Sequence, residues 1–348
     1  MPRTPTIRDV AARAQCSIAT ISRALNQPER VERETLARVH DAIASVGYRP
    51  SAAGRALRMQ RSHVVGVVVP SLANPVFAET VQGIHEAAEA AGYRLMLMST
   101  GYDADRERAA IDTLSERRTD GLILTVGDAL DNAALDALDL NGMPYVLAHN
   151  DAADARGRRT VGVDNFAAAR AGVRLLIDAG HRHIRMVAGA LASSDRARQR
   201  HAGYLAALGD AGLPALPLLE TSFDRPALDA AALRQPVNEV TPSALFCSND
   251  WLALAVIDTL RGAGVAVPRD MSVLGFDGLA LGERIDPRLS SVCVPNRAIG
   301  ARAWQGLQAR LHDGDDGEAV RCRLPFELRA GASVAAPAAR RNFSTDLS

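Results

Sequence analysis

Four polar residues each follow an apolar run of the kind that forms a buried β-strand. Thr125 follows DGLIL, His149 follows YVLA, Asn249 follows ALFC and a serine, and Asp277 follows SVLGF. In open α/β sheets, ligands bind at the carboxyl ends of the strands. The sequence therefore predicts that these four side chains line one binding cleft.

The residue types at these positions suit a ligand with many hydroxyl groups. Arg200 and Phe223 lie in segments that can line the same cleft. Carboxylate, amide and guanidinium groups around an aromatic ring can satisfy a sugar, because each hydroxyl needs donors and acceptors once it leaves water. Structural roles stay open at this point, because Asn249 can cap a helix, Asp277 can cap a turn and Arg200 can form a surface ion pair.

The segments around these residues alternate between apolar runs and helical patterns. Such alternation favours parallel sheets covered on both faces, and here it predicts two doubly wound lobes that face each other across the cleft. The first cycle of apolar runs covers residues 63–70, 94–99, 120–125 and 144–148, and the second covers 160–163, 184–189, 244–248 and 272–276. We expect residues 289–295 to return the chain to the first lobe.

The first fifty residues have a different pattern, with three short amphipathic helices. Thr6 and Asp9 form a capping box for the first helix, and Ser17 caps the second. The third is predicted from about residue 32 to residue 46. A tight turn between the first two helices is the helix-turn-helix plan, in which the second helix lies in the major groove of DNA.

The second helix carries side chains that suit a DNA duplex. Arg23 can make a bidentate contact to guanine, and Ile18 and Ala19 can make apolar contacts to a thymine methyl group. Short polar groups suit phosphate oxygens. The candidate DNA-binding residues of this segment are Ser17, Ile18, Ala19, Thr20, Ser22, Arg23 and Asn26. A three-helix bundle that binds protein stays open as the alternative.

Charge is divided unequally along a chain whose formal net charge is zero. Residues 1–62 contain eleven Arg and five Asp or Glu, whereas the remaining residues contain 29 Arg and 35 Asp or Glu. There is no Lys, so every basic side chain is a guanidinium. A basic end on an acidic body predicts a polyanionic partner for that end only.

Residues 51–58, SAAGRALR, can form one further helix. About eight residues are too few for a stable isolated helix, so we expect it to fold only against a partner. Leu57 would then be an exposed apolar side chain suited to insertion between base steps from the minor groove. The alternative is a linker whose Leu57 packs on the next domain.

Several classes of protein are not expected from this sequence. The chain has no apolar run of about 18 residues and no apolar signal segment, which predicts a cytosolic protein without a membrane partner. Its four Cys are far apart and form no CxxC pair, so neither a metal site nor a disulfide framework is expected. No cofactor is expected either. We find no nucleophile–base pair and no Gly-rich phosphate loop, so an enzyme is not expected.

Residues 6–58 resemble the lactose-repressor/galactose-repressor (LacI/GalR) family of bacterial transcription regulators. The resemblance rests on TIRDVAARA, TISRALN and GYRPSAAGRAL at their spacing in this chain. It implies a homodimer bound to a near-palindromic double-stranded operator, with paired hinge helices that place Leu57 at the central base step.

The resemblance continues to about residue 334 through NPVFAE, DGLIL, VDN, GHRHI, RHAGY, SND and GFD. It implies a two-lobed effector domain similar to periplasmic sugar-binding proteins, in which Arg200 and Asp277 contact the effector. Phe77 and Phe223 match positions that stack on ligand in some members, and Thr125 and Asn249 match contact positions in others. His149 stands where Asp is common, which leaves a sugar, a sugar acid or a sugar phosphate open as the effector.

These observations together predict a DNA-binding repressor that a small sugar-like effector releases from its operator. The alternative is a repressor of the same fold whose effector is a corepressor that favours operator binding, as in purine-responsive regulators. A sugar-binding or sugar-processing protein is a more distant alternative. The predicted domains are a helix-turn-helix domain (1–49), a hinge helix and linker (50–62), an effector domain (63–334) and a disordered tail (335–348). The first lobe is predicted at about 63–159 plus 292–320, and the second at about 160–291 plus 321–334.

Overall fold

The computed structural model describes residues 5–48, 61–150, 157–223, 226–238, 240–313 and 321–337. The chain divides into two compact units, residues 1–62 and residues 63–348. Leu57 and the remainder of the predicted hinge helix lie outside the described residues, and so do residues 338–348 of the predicted tail.

The described residues of the N-terminal unit form three α-helices, as predicted: α1 (Ile7–Ala14), α2 (Ile18–Asn26) and α3 (Arg33–Val46). The Thr6 amide donates to Asp9 Oδ2 at 2.7 Å, which starts α1. Gln15 ends it in the left-handed conformation, with φ 53°.

The turn into α2 is closed by a serine cap. Ser17 Oγ accepts a hydrogen bond from the Thr20 amide at 3.0 Å, which satisfies one of the free N–H groups at the start of the helix. The three helices enclose a small core of Val10, Ala11, Ala14, Ile21, Ala24, Val39 and Ala42. The helix-turn-helix arrangement predicted from the sequence is therefore confirmed.

The second unit contains two six-stranded sheets with helices on their faces. The strands of the first sheet are β1 (Val64–Val69), β2 (Arg94–Ser99), β3 (Gly121–Leu124), β4 (Tyr145–Ala148), β5 (Thr160–Gly162) and β11 (Arg321–Arg323). Those of the second sheet are β6 (Ile184–Gly189), β7 (Leu219–Thr221), β8 (Ala244–Cys247), β9 (Ser272–Asp277), β10 (Ser290–Cys293) and β12 (Glu327–Arg329). Hydrogen-bonded neighbours follow the order β11-β5-β4-β3-β1-β2 in the first sheet and β12-β10-β9-β8-β6-β7 in the second.

Neighbouring strands are parallel except for β10 and β12, and the two-lobed α/β fold predicted from the alternating pattern is confirmed. Its helices are α4 (Pro75–Ala90), α5 (Ala104–Glu116), α6 (Ala133–Leu140), α7 (Asn165–Asp178), α8 (Asp195–Asp210), α9 (Ala230–Arg234), α10 (Asp250–Gly262) and α11 (Asn296–Asp313). Six of the twelve strands named above, β3, β4, β5, β6, β8 and β9, are buried along their whole length, because helices cover both faces of each sheet. None of the helices in the described part of the chain is long and apolar enough to span a bilayer.

Three strands belong to a different lobe from the one that the sequence predicted. β5, expected to open the second lobe, pairs with β4 in the first sheet. β10, expected to return the chain to the first lobe, pairs with β9 in the second sheet. β11, expected in the second lobe, pairs with β5 in the first. Local apolar patterning identifies a strand but carries no information about its distant partner, which explains all three errors.

The return to the first lobe is made by α11, which packs against α4. Ala335, which was predicted to begin the disordered tail, is instead bonded to the second lobe. Its amide donates to Ser272 Oγ at 3.1 Å, and its carbonyl accepts from the same hydroxyl at 3.1 Å.

Candidate functional site

Six of the seven predicted effector residues meet in one cleft between the carboxyl ends of the two sheets. These residues are Phe77, His149, Arg200, Phe223, Asn249 and Asp277. The seventh, Thr125, is buried behind the end of β3, where its hydroxyl donates to the Ala148 carbonyl at 3.0 Å. The cleft is narrow, with a cavity volume of about 30 Å³.

The first lobe contributes uncharged groups to the cleft. Phe77 lies in the first turn of α4, and its ring meets the His149 imidazole edge-on, with centroids 6.0 Å apart. His149 follows β4 with φ 67°, a left-handed conformation that strains a residue with a side chain. Its Nε2 lies 2.6 Å from Thr80 Oγ1.

Burial makes His149 a neutral acceptor. The pKa of the imidazole falls to about 3, because burial disfavours the charged form and the nearby Arg196 and Arg200 repel it. Thr80 Oγ1 donates its one hydrogen to the Val76 carbonyl at 2.9 Å, so it accepts from Nε2–H. This tautomer leaves Nδ1 with a lone pair that can accept a hydrogen bond from a ligand hydroxyl.

The second lobe contributes a buried ion pair. Arg200, on α8, is 8% exposed, and its guanidinium lies 3.1 Å from Asp277 Oδ1. Arg200 Nε donates to Asn165 Oδ1 at 2.8 Å, and Nη1 donates to the Ser248 carbonyl at 2.5 Å. The guanidinium also stacks on the Phe276 ring, 3.7 Å from its centroid. These contacts fix Arg200 in position before any ligand arrives.

Asp277 is the second strained residue of the cleft. It ends β9 with φ 103°, and it is 3% exposed. Burial raises the pKa of its carboxyl to about 6, although the pairing with Arg200 opposes this change. Two strained residues at two strand ends, each with a shifted pKa, are typical of a functional site.

Asn249 has both of the roles that the sequence left open. Its Oδ1 accepts from the Leu252 amide at 2.7 Å and so caps α10, and the residue also lines the cleft. Capping occupies the carbonyl oxygen of the side chain, so its NH₂ group is the part left for a ligand.

The two lobes also meet through aromatic rings. Tyr102 of the first lobe stacks on Phe223 of the second, with centroids 4.3 Å apart and planes 14° apart. The Phe77 ring meets Tyr102 edge-on at 6.5 Å. These rings form an apolar wall of the kind on which a sugar face can pack.

Sequence reasoning missed further residues that line the cleft: Asn74, Val76, Tyr102, Ser194, Arg196 and Ala197. Two of them, Tyr102 and Arg196, could have been identified from the sequence. Tyr102 follows β2 closely, so the strand-end rule applied to it as well. Arg196 precedes Arg200 by one helical turn, which places the two on one face of α8.

Hydrogen bonds join the lobes beside the cleft. The Asp195 amide donates to the Gly127 carbonyl at 2.8 Å, and Asn150 Nδ2 donates to Asp195 Oδ2 at 2.8 Å. Arg196 Nη1 donates to the Val126 carbonyl at 2.8 Å, and Arg198 pairs with Asp128. The start of α8 is thus held by the first lobe, so any change in the angle between the lobes must alter these contacts.

The predicted DNA-binding residues lie together at the start and along one face of α2. Ser17, Ala19 and Arg23 are exposed, Thr20 and Ser22 are half-buried, and Ile18 is 41% exposed. Asn26 is the last residue of α2, and its side chain lies outside the described part. An exposed Ile beside exposed Ala and Arg matches the apolar and guanidinium contacts that a major groove accepts.

Two family descriptions match the chain. Residues 6–51 match "Bacterial regulatory proteins, lacI family". Residues 62–327 match "Periplasmic binding proteins and sugar binding domain of LacI family". The two matches cover the helical unit and nearly all of the α/β unit.

Individual relatives agree with these matches. The HTH-type transcriptional regulator GntR of Escherichia coli K12 is 32% identical, over 95% of this chain and 98% of that protein. The ribose operon repressor of Haemophilus influenzae is 30% identical, over 89% and 93%. Among solved structures, the Lac repressor dimer bound to operator and the anti-inducer ONPF has a TM-score of 0.81 at 25% identity, over 96% of this chain and 100% of that one.

Proposed function

The chain belongs to the LacI family of bacterial regulatory proteins, and from this premise we propose that it is a homodimeric repressor released from its operator by a polyhydroxylated effector. The observation that carries the proposal is the buried Arg200–Asp277 pair facing the neutral His149 across the cleft. Asp277 and His149 Nδ1 accept hydrogen bonds from hydroxyls, Asn249 and Arg196 donate to oxygens, and the rings of Phe77 and Phe223 pack on the apolar face of a sugar.

The helical unit holds the DNA in this proposal. α2 lies in the major groove, Arg23 selects a base, and the eleven Arg of residues 1–62 neutralise phosphates. Two copies of the unit read the two halves of a near-palindromic operator, as the dimeric Lac repressor structure bound to operator illustrates for that relative. Leu57 remains our candidate for the central base step.

The effector acts through the lobes. A ligand that binds one angle between the lobes more tightly than another shifts the dimer between a form that holds the operator and a form that releases it. The contacts of Asp195, Arg196 and Arg198 with the first lobe are among those that must change with this angle.

The protein acts on transcription and not as an enzyme in this proposal, and it works in the cytosol, where bacterial DNA is found. Support comes from the named relatives, which are regulators and repressors. The lobe boundaries that we propose follow the two sheets, so β5, α11 and β11 join the first lobe and β10 and β12 the second.

The test combines operator selection with an effector screen. Full-length protein selects duplexes from a random pool, and fluorescence anisotropy then follows release of the selected duplex by sugars, sugar acids and sugar phosphates found in a thermal-shift screen. We expect a palindromic site and at least one compound that releases it. Tighter operator binding on addition of the hit would instead indicate a corepressor, and lack of any preferred duplex would contradict the proposal.

A further inference from the structure

Arg196 has a hydrogen-bond donor that no described residue accepts. The residue is 6% exposed and lines the cleft. Its Nη1 donates to the Val126 carbonyl at 2.8 Å and lies 3.2 Å from Asp195 Oδ1. Its Nη2 is fully buried and has no hydrogen-bond partner among the described residues.

A buried guanidinium N–H without an acceptor is costly, because it has lost its hydrogen bonds to water. The nearest carboxylate does not supply the acceptor. Asp195 places Oδ1 beside Nη1, and its Oδ2 accepts from Asn150 Nδ2. Asp277 is held by Arg200. The acceptor for Arg196 Nη2 is therefore to be sought in the ligand of the cleft.

The backbone adds positive potential at the same place. Three helices begin at the cleft, since Asn74, Ser194 and Asn249, which cap α4, α8 and α10, all line it. The N-terminus of each helix carries a partial positive charge that favours an anion. Burial is the main reason that the pKa of His149 is lowered, and the charges of Arg196 and Arg200 lower it further.

The acidic groups around the cleft are already engaged. Asp277 and Asp195 each pair with a guanidinium, and Glu79 accepts from Asn296 Nδ2 at 2.9 Å. Glu107 accepts from the Gly127 amide at 2.9 Å. These bonds leave Asp277 able to accept from ligand hydroxyls, and within the described part of the chain no carboxylate at the cleft accepts from Arg196 Nη2.

We propose that Arg196 binds an anionic oxygen group of the effector, a carboxylate or a phosphate, while Asp277 and His149 accept from its hydroxyls. The effector is then a polyhydroxylated acid and not a neutral sugar. This inference rests on the proposed function, because it names the ligand class of the same cleft. A charge-assisted hydrogen bond is roughly twice as strong as a neutral one, so an anion gains more from Nη2 than a hydroxyl does.

The test compares matched ligands on the full-length protein by isothermal titration calorimetry. One arm uses five- and six-carbon aldonates, a second uses the corresponding aldose phosphates, and a third uses the neutral aldoses and alditols of the same configuration. We expect the best anionic ligand to bind roughly 10- to 100-fold more tightly than its neutral counterparts. The first two arms distinguish a carboxylate from a phosphate.

Variants assign the preference to Arg196. Arg196→Gln removes the charge, and we expect the anionic and neutral members of a pair to bind it about equally. Arg196→Lys retains a charge and should restore most of the preference. Arg198→Gln is the matched control, because Arg198 also joins α8 to the first lobe through Asp128 but does not line the cleft.

Two results would overturn the inference. One is a neutral sugar that binds as tightly as its acid. The other is an anion preference that survives in a folded Arg196→Gln protein. If no ligand of any arm binds while operator binding is intact, the proposed polyhydroxylated effector itself fails, and the inference fails with it. A failure confined to the charge preference leaves the proposed function standing.

Discussion

The DNA-binding helix and the effector cleft present their functional groups in opposite ways. The candidates on α2 come from ten consecutive residues, and Ile18, Ala19 and Arg23 are exposed. The cleft takes its groups from both sheets and from the starts of three helices, and Arg200 and Asp277 are almost completely buried and already bonded to each other.

This difference follows from the two ligands. A DNA duplex is read by side chains that stand out from the protein surface and reach into a groove. A small ligand is enclosed, so its partners must be desolvated, correctly oriented and bonded in advance. The comparison predicts that changes in the cleft alter effector binding without altering intrinsic operator affinity, and that changes on α2 have the opposite effect.

The largest effect is expected from Asp277→Asn. The substitution keeps the shape of the side chain but removes the charge that pairs with Arg200, so a buried guanidinium loses its counter-ion. We expect effector binding to weaken by roughly 2–5 kcal/mol, with operator affinity in the absence of effector nearly unchanged. Calorimetry and operator anisotropy measure the two quantities, and full effector response in the variant would place the site elsewhere.

A smaller effect, on operator binding and not on effector binding, is expected from Arg23→Ala. Loss of a bidentate contact to a base should relax discrimination at one operator position by about 1–3 kcal/mol. A binding scan across single-base variants of the selected operator measures it, with Arg13→Ala in α1 as a basic control. An unchanged scan, or a loss of effector affinity of similar size, would contradict the assignment.

Sequence alone was most informative where the signal is local. The caps Thr6 and Ser17, the ends of α1 and α2 and most strands of the first lobe follow from short patterns, and the structure agrees with them. The sheet to which β5, β10 and β11 belong could not be predicted, because that choice depends on hydrogen bonds to distant strands and not on the residues of the strand itself.

The cleft shows the same division between local and distant information. The strand-end rule found His149 and Asp277 because both follow an apolar run directly. Applied to Thr125, the rule gave the wrong environment, because the hydroxyl points to the Ala148 carbonyl instead of the cleft. The one-turn spacing from Arg200 could have placed Arg196 on the cleft face of α8, but the sequence could not show that one of its nitrogens has no partner among the described residues, because that depends on the distant Val126.

The two units should also differ in how pH affects them, because the buried carboxyls lie in the α/β unit. Asp250 accepts from Ser291 Oγ at 2.6 Å and from the Leu279 amide at 2.7 Å. Burial raises the pKa of this carboxyl to about 7, well above the value of about 3.9 for an unfolded chain. The folded state therefore holds this proton more tightly, and the stability that Asp250 contributes falls as pH rises from about 4 through 7.

We expect the stability of the wild type, relative to Asp250→Asn, to fall between about pH 4 and pH 7. Urea unfolding followed by tryptophan fluorescence measures it, because Trp251 and Trp304 both lie in the α/β unit and none lies in the helical one. If the free energy of unfolding of the wild type and of Asp250→Asn changed with pH in parallel, Asp250 would have no raised pKa in the folded protein. The exposed Asp258→Asn change serves as the control, and its profile should follow the wild type.

The smallest effect is expected from Thr125→Val, which tests whether Thr125 contacts the effector or only stabilises the wall of the cleft. Thr125→Val keeps the volume of the side chain but removes the hydroxyl that donates to the Ala148 carbonyl, so we expect the free energy of unfolding to fall by about 1 kcal/mol. Effector affinity should stay within a factor of two, since Thr125 does not line the cleft. Thr113→Val removes an exposed hydroxyl bonded to the Ala109 carbonyl and should cost less. A loss of effector affinity as large as that of Asp277→Asn would mean that the lobes rearrange on binding and bring Thr125 into contact with the ligand. Thr125 would then belong to the residues that bind the effector and not to those that only stabilise the cleft.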